Sequence, residues 1–215
     1  MVHTIKEYEE KSRVFNPSTH IKSRIQEMEG HSAIGAEIAS TWKDLLDQRL
    51  VKETYPVIHP IGQETFSLYA DYPTGVFEYA LDIDGTTALI KKKRLEPSRF
   101  SPSTIIDAVD QGNLNQDQTQ INPNHKNPVM VLQSHYLTDN KPYCINGNHR
   151  INEAFKREDQ SIEVYVFKEL EFVPFFYDNL SKAMYFLELD YHHVVHRDAP
   201  LIKSERGAFV YDFRN

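Results

Sequence analysis

Lys141-Pro142-Tyr143-Cys144-Ile145-Asn146-Gly147-Asn148-His149-Arg150 runs from a β-forming stretch into a glycine turn, and the chain continues as Ile151-Asn152-Glu153-Ala154-Phe155-Lys156-Arg157. In that continuation Ile151, Ala154 and Phe155 fall on one helical face while Glu153, Lys156 and Arg157 fall on the other. Upstream, Pro128-Val129-Met130-Val131-Leu132 reads as a short apolar strand, joined to the Lys141–Ile145 stretch by a turn around Asp139-Asn140. Downstream, Ile162, Val164 and Val166 alternate with Glu163, Tyr165 and Phe167 as a further strand. The order is strand, hairpin, strand, glycine turn, helix, strand.

A strand that ends at a glycine and turns into a helix leaves backbone N–H groups aimed at one point, and the helix dipole favours negative charge there. His149 and Arg150 would stand in the first helical turn, where a guanidinium can fork onto phosphate or carboxylate oxygens and an imidazole can donate a further hydrogen bond. Asn146 and Asn148 tolerate the backbone conformations such a turn needs. The spacing therefore marks Gly147, Asn148, His149 and Arg150 as a candidate anion site, although a glycine followed by polar residues is also an ordinary strand-to-helix connection.

Working outward, Asn16-Pro17-Ser18-Thr19 supplies helix-start chemistry after a polar leader, with Ile21, Ile25 and Met28 at helical spacing until Gly30 breaks the run. A second helix begins near Ser32 on Ile34, Ile38, Trp42 and Leu45. From Tyr55 the period changes to two, and Asp84-Gly85 between alternating residues predicts a hairpin within an antiparallel meander ending at Lys91-Lys92-Lys93-Arg94. A short helix near Ser103 precedes an Asn/Gln-rich loop over 111–127. Beyond Pro174 an aromatic-rich helix from about Ser181 to Val195 is followed by Gly207-Ala208-Phe209-Val210-Tyr211, which reads as an edge strand. The predicted fold class is α+β, with an N-terminal helical and β-meander region at 1–87, an α+β domain at 88–170, and a C-terminal helix and tail at 171–215 packed on the core.

The central module resembles the ParB/sulfiredoxin-like superfamily, the group that includes ParB-like nuclease domains. The residues that carry the likeness are Pro128 to Leu132, Tyr143 to Arg150, Glu153-Ala154, Ile162 to Phe167, and upstream Leu95-Glu96-Pro97-Ser98-Arg99-Phe100, so that it spans about residues 88–170. The resemblance implies that Gly147, Asn148, His149 and Arg150 hold the phosphates of a nucleotide, ATP, ADP or CTP, with Mg²⁺. It extends to nucleotide-dependent phosphoryl transfer or nucleotide hydrolysis, with a nucleotide or a phosphorylated small molecule as partner. Sulfiredoxins carry a cysteine where this chain has Asn148, and clamp-forming ParB proteins carry a helix-turn-helix domain for which about 45 residues remain here. Among carboxylates, Glu96, Asp107 and Glu153 are candidates to act over the phosphates, and the catalytic residue stays unassigned. The other reading is a non-catalytic module that engages a protein or a specific DNA site in a phage or mobile element.

Two further patterns compete. Asp82-Ile83-Asp84-Gly85-Thr86 is similar to the first motif of the haloacid-dehalogenase phosphatases, which would make Asp82 a nucleophile and Asp84 an acid. The hairpin reading of Asp84-Gly85 argues against it. Glu188, His192 and His196 follow at i, i+4 and i+8 and could share a metal, but they flank an apolar face, and the expectation is that no metal is held there.

Composition bounds the rest. In 215 residues there are 24 Lys and Arg against 31 Asp and Glu, a net charge of −7, so non-specific attraction to a phosphate backbone is unfavourable. The one cysteine, Cys144, excludes an intrachain disulfide and a multi-thiolate zinc site. With 12 Tyr and 12 Phe the chain has ample core material. No apolar run resembles a signal peptide or a membrane span, and the expectation is a cytoplasmic protein without a membrane partner.

Overall fold

Several helix starts are fixed by side-chain caps. In a computed structural model that describes residues 5–114, 127–196 and 207–214, Asn16 accepts from the Thr19 N–H before helix α2 (Pro17–His31), and Pro17 sits where its missing donor costs nothing. Ser32 likewise accepts from the Gly35 N–H to open α3 (Ala33–Gln48). Asp178 accepts from the Ser181 N–H to open α8 (Asn179–Tyr191). The polar leader is itself helical, α1 (Ile5–Arg13).

The chain is α+β and divides into two compact units that interleave along the sequence: 1–5, 59–68 and 80–176 form the first, and 6–58, 69–79 and 177–215 the second. Strands β1 (Thr65–Tyr72) and β2 (Gly75–Asp82) pair as a hairpin, its open end counted with the first unit and its turn with the second.

Two expectations fail in instructive ways. Asp84-Gly85 is not a hairpin turn, because Asp82 ends β2 and its side chain accepts from the Gly85 N–H at 2.8 Å, capping α4 (Ile83–Lys93). The meander therefore reduces to one hairpin and a helix. Lys91, Lys92 and Lys93 fall in the last turn of α4, where they complement the dipole. The tail also departs from expectation: residues Phe209–Arg214 form a helix, α9, rather than an edge strand. Its first amides, from Phe209 and Val210, donate to the buried Asp190 carboxylate at 2.6 and 3.0 Å, a capping contact that alternation of side chains along the sequence does not reveal.

In the first unit a four-stranded sheet has the order β3-β6-β4-β5, built from β3 (Ser98–Phe100), β4 (Met130–Gln133), β5 (Tyr143–Asn146) and β6 (Ile162–Lys168). β4 is antiparallel to β5 and parallel to β6, and β3 is antiparallel to β6. Short helices α5 (Pro102–Ile105) and α6 (His135–Thr138) connect the strands, α6 leading into the turn at Asp139-Asn140, both of which have positive φ. Helix α7 (Asn148–Lys156) follows β5 directly. Val129, Val131, Cys144, Ile151 and Val164 close a core with Ile105, Ala108 and Val109. Most of the Asn/Gln-rich stretch, 115–126, lies outside the described residues.

The second unit packs α2 and α3 closely. A Cβ on Gly35 would lie 2.2 Å from the Met28 carbonyl oxygen, so only glycine permits this approach. Trp42, Met28, Tyr79 and Tyr185 are fully buried here. No helix among the described residues is long and apolar enough to cross a membrane.

Candidate functional site

The turn after β5 is made by Gly147, with φ +100° and ψ 22°, a conformation that side-chain-bearing residues rarely adopt. No side chain caps α7, whose first turn carries Asn148, His149 and Arg150. The turn is stitched down from both sides. Asn146 donates from Nδ2 to the Pro128 carbonyl at 2.8 Å, and Asn148 accepts the Asp110 N–H at Oδ1, 2.9 Å. Asn148 is buried and also donates to the Cys144 carbonyl, so its side chain supports the turn and does not face a ligand. Tyr143 donates to the same Asp110, which holds the 110–112 segment against β5.

Arg150 folds back over the glycine. A Cβ at Gly147 would lie 3.0 Å from Arg150 Nη2 and 2.9 Å from Val129 Cγ2. Nη2 is buried with no hydrogen-bond partner. Burial pushes the guanidinium below the ordinary arginine range, against the opposing influence of Cys144 and Glu64. His149 lies beside it, half-buried. Cys144 is fully buried and donates to the Asn146 carbonyl, and burial pushes its thiol up to about 12, so it is a core group and not a nucleophile.

The influence of Glu64 on Arg150 identifies a carboxylate that the sequence did not. Glu64 precedes β1, and its carbonyl accepts from the Ile83 and Asp84 amides while Asp84 Oδ2 accepts the Glu64 N–H at 2.7 Å. Asn127 Nδ2 donates to Glu64 Oε2 at 2.6 Å and to Asp84 Oδ1 at 2.8 Å, bringing two carboxylates onto one amide. Asn127 is adjacent to Pro128, the residue that receives Asn146. Glu64, Asp84 and Asn127 are far apart in sequence; the signal that was present, Asp82 three residues before Gly85, reads as a helix cap that puts Asp84 in a first turn.

The three carboxylates suggested by sequence stand elsewhere. Glu153 is exposed and pairs with Lys156, and Asp107 is exposed. Glu96 lines a cleft of about 320 Å³ with Leu89, Lys93, Tyr165 and Phe167, whose lining does not include the Gly147 turn. Asp82 is engaged by Gly85 and by Gln63 Nε2, and β2 pairs with β1 in an antiparallel hairpin rather than in a parallel sheet. The late histidines do not join Glu188: its carboxylate turns to His20 and Arg24, while the His192 and His196 rings lie 5.1 Å apart between centroids, tilted by 43°. Among the described residues no three His, Cys, Asp or Glu side chains are grouped to hold a metal ion.

Replacing Gly147 by alanine is expected to destabilise the chain. The backbone strain costs about 1–3 kcal/mol, and the methyl group meets Val129 and Arg150. Chemical denaturation checks it, and the same variant should displace the guanidinium from the turn.

No protein-family model, curated protein or solved structure matches the chain.

Proposed function

We propose that the chain binds the phosphate groups of a nucleotide at the Gly147–Arg150 turn, as a nucleotide-binding protein of ParB/sulfiredoxin-like type acting in phosphoryl transfer or nucleotide hydrolysis. The observation that carries this reading is Arg150 Nη2, buried and without a partner beside an uncapped helix start. A buried unsatisfied guanidinium N–H costs stability, and an anion at the helix N-terminus supplies the missing acceptor. Backbone amides of the first turn add donors to the same anion. His149 stands in that turn as a further contact.

Mg²⁺ fits the neighbourhood, because it takes one or two carboxylates together with phosphate oxygens, and Glu64 and Asp84 converge on Asn127. These two residues would hold it, and the ion would neutralise charge on the phosphates. The chain's own contribution is positioning: Arg150 and the turn fix the phosphates, and Asn127 fixes the two carboxylates.

Thermal melting with ATP, ADP, GTP or CTP and Mg²⁺ tests the reading. At least one nucleotide should raise the melting temperature, since a ligand that binds only the folded state stabilises it. Arg150→Ala should remove that shift. Because it also removes a buried donor without a partner, the unliganded variant should melt at the wild-type temperature or above it. Stabilisation by none of the four at millimolar concentration would favour the alternative, a non-catalytic module that contacts a protein or a specific DNA site.

A further inference from the structure

In the second unit, Thr74 is exposed at the turn between β1 and β2, and its Oγ1 lies 2.6 Å from Nδ1 of His20. The other imidazole nitrogen, Nε2, lies 2.9 Å from Oε1 of Glu188. His20 is 0% exposed and Glu188 4%, so hydroxyl, imidazole and carboxylate form a chain from solvent into the core. A hydroxyl within hydrogen-bond reach of a base that is oriented by a third group is the arrangement that activates a weak nucleophile.

The carboxylate fixes the tautomer of the neutral ring. Burial alone would raise the Glu188 carboxyl, but the hydrogen bond from His20 and the Arg24 guanidinium reverse this and leave it below the ordinary range. Arg24 reaches the carboxylate through Nε at 2.9 Å and Nη2 at 3.2 Å. An ionised carboxylate only accepts, so Nε2 of His20 carries a proton; in the neutral ring Nδ1 is then the acceptor, and the Thr74 hydroxyl donates to it. The ring is kept in place by Tyr72, 4.5 Å away between centroids, and by Phe15, 5.6 Å away.

The geometry points to Thr74 Oγ1 as a nucleophile toward small activated esters, with His20 as its base and Glu188 as the positioning residue that holds the tautomer. The Thr74 proton passes to Nδ1 as Oγ1 bonds to the ester carbonyl carbon. The bond to the leaving oxygen breaks, and that oxygen takes the proton from Nδ1. Water, deprotonated by the same nitrogen, then cleaves the threonyl ester and restores the hydroxyl. This site is independent of the Gly147 turn and shares no residue with it.

The test is intact-mass and peptide-mapping analysis of the full chain after brief exposure to p-nitrophenyl acetate. One acetyl group should appear on Thr74. Thr74→Ser, which removes the methyl group from the carbon that bears the nucleophilic oxygen, should react at least as fast, and Thr74→Val should lose the adduct and the associated p-nitrophenolate release while melting cooperatively. His20→Gln should slow acetylation of Thr74 at least tenfold. Absence of a Thr74 adduct in the folded wild-type chain, under conditions where surface lysines are acetylated, would overturn the proposal. So would equal labelling of Thr74 in wild type and in a folded His20→Gln chain.

Discussion

Glu188→Ala is expected to lower folding stability by about 3–5 kcal/mol, because removing one partner of a buried ion pair leaves the other charge without compensation. Glu188 is 4% exposed and receives two hydrogen bonds from Arg24 and one from His20. The Arg24 guanidinium also lies over the Tyr191 ring, 3.9 Å from its centroid, and Tyr191 donates to Glu27, so the loss spreads to a second helix face. The pH dependence follows from the lowered carboxyl of Glu188. Its contribution is fully present above the unfolded value, about 4.3, and is lost as pH falls from there through the depressed folded value. Urea denaturation as a function of pH checks both parts: Glu188→Gln should weaken the acid-side fall in stability that wild type shows. A loss below about 1 kcal/mol in Glu188→Ala, the level of an exposed pair, would contradict the assignment.

Asp190→Ala is the second large effect. Asp190 is 1% exposed and accepts from Trp42 Nε1 at 2.9 Å as well as from the Phe209 and Val210 amides that begin α9. Each stranded donor costs about 1–3 kcal/mol, and Trp42 is fully buried, so water cannot replace the lost acceptor there. The expected loss is roughly 3–5 kcal/mol after partial relaxation of α9. Hydrogen exchange gives the local readout: the Phe209 and Val210 amides should exchange faster than the amides of α2. Protected amides in α9 of the variant would show that packing of Phe209 on Phe186, 5.4 Å apart, holds this helix without the carboxylate.

How much the sequence disclosed depended on the range of each interaction. The strand, glycine turn, helix and strand around Gly147 were legible because period and punctuation act within a few residues, and the structure places Tyr143–Asn146, Asn148–Lys156 and Ile162–Lys168 accordingly. The α+β class was legible for the same reason. Asp84-Gly85 was misread because a dipeptide favoured in hairpins also fits the first turn of a capped helix, and only the acceptance of the Gly85 amide by Asp82 separates the two. Helical spacing puts Glu188 in line with His192 and His196 but carries no sign of its partners His20 and Arg24, which lie more than 160 residues away. Glu64 and Asn127 carried no local signal, since what they do depends on the fold bringing them to Asp84. The place of Arg150 in the first helical turn was legible, whereas its folding back over Gly147 follows from the missing Cβ and the left-handed turn together.

The most direct measurement of the central claim is calorimetric titration of nucleotides with Mg²⁺ into the wild-type chain and into Arg150→Ala. A phosphate site at the Gly147 turn should give saturable binding of one nucleotide per chain. Loss of a charge-assisted contact should weaken it by about 1.5–3 kcal/mol, which is roughly ten- to more than a hundredfold in Kd. Equal affinity of the two proteins for the nucleotide that binds, or no binding heat with any of ATP, ADP, GTP and CTP, would contradict the assignment of this turn as the phosphate site.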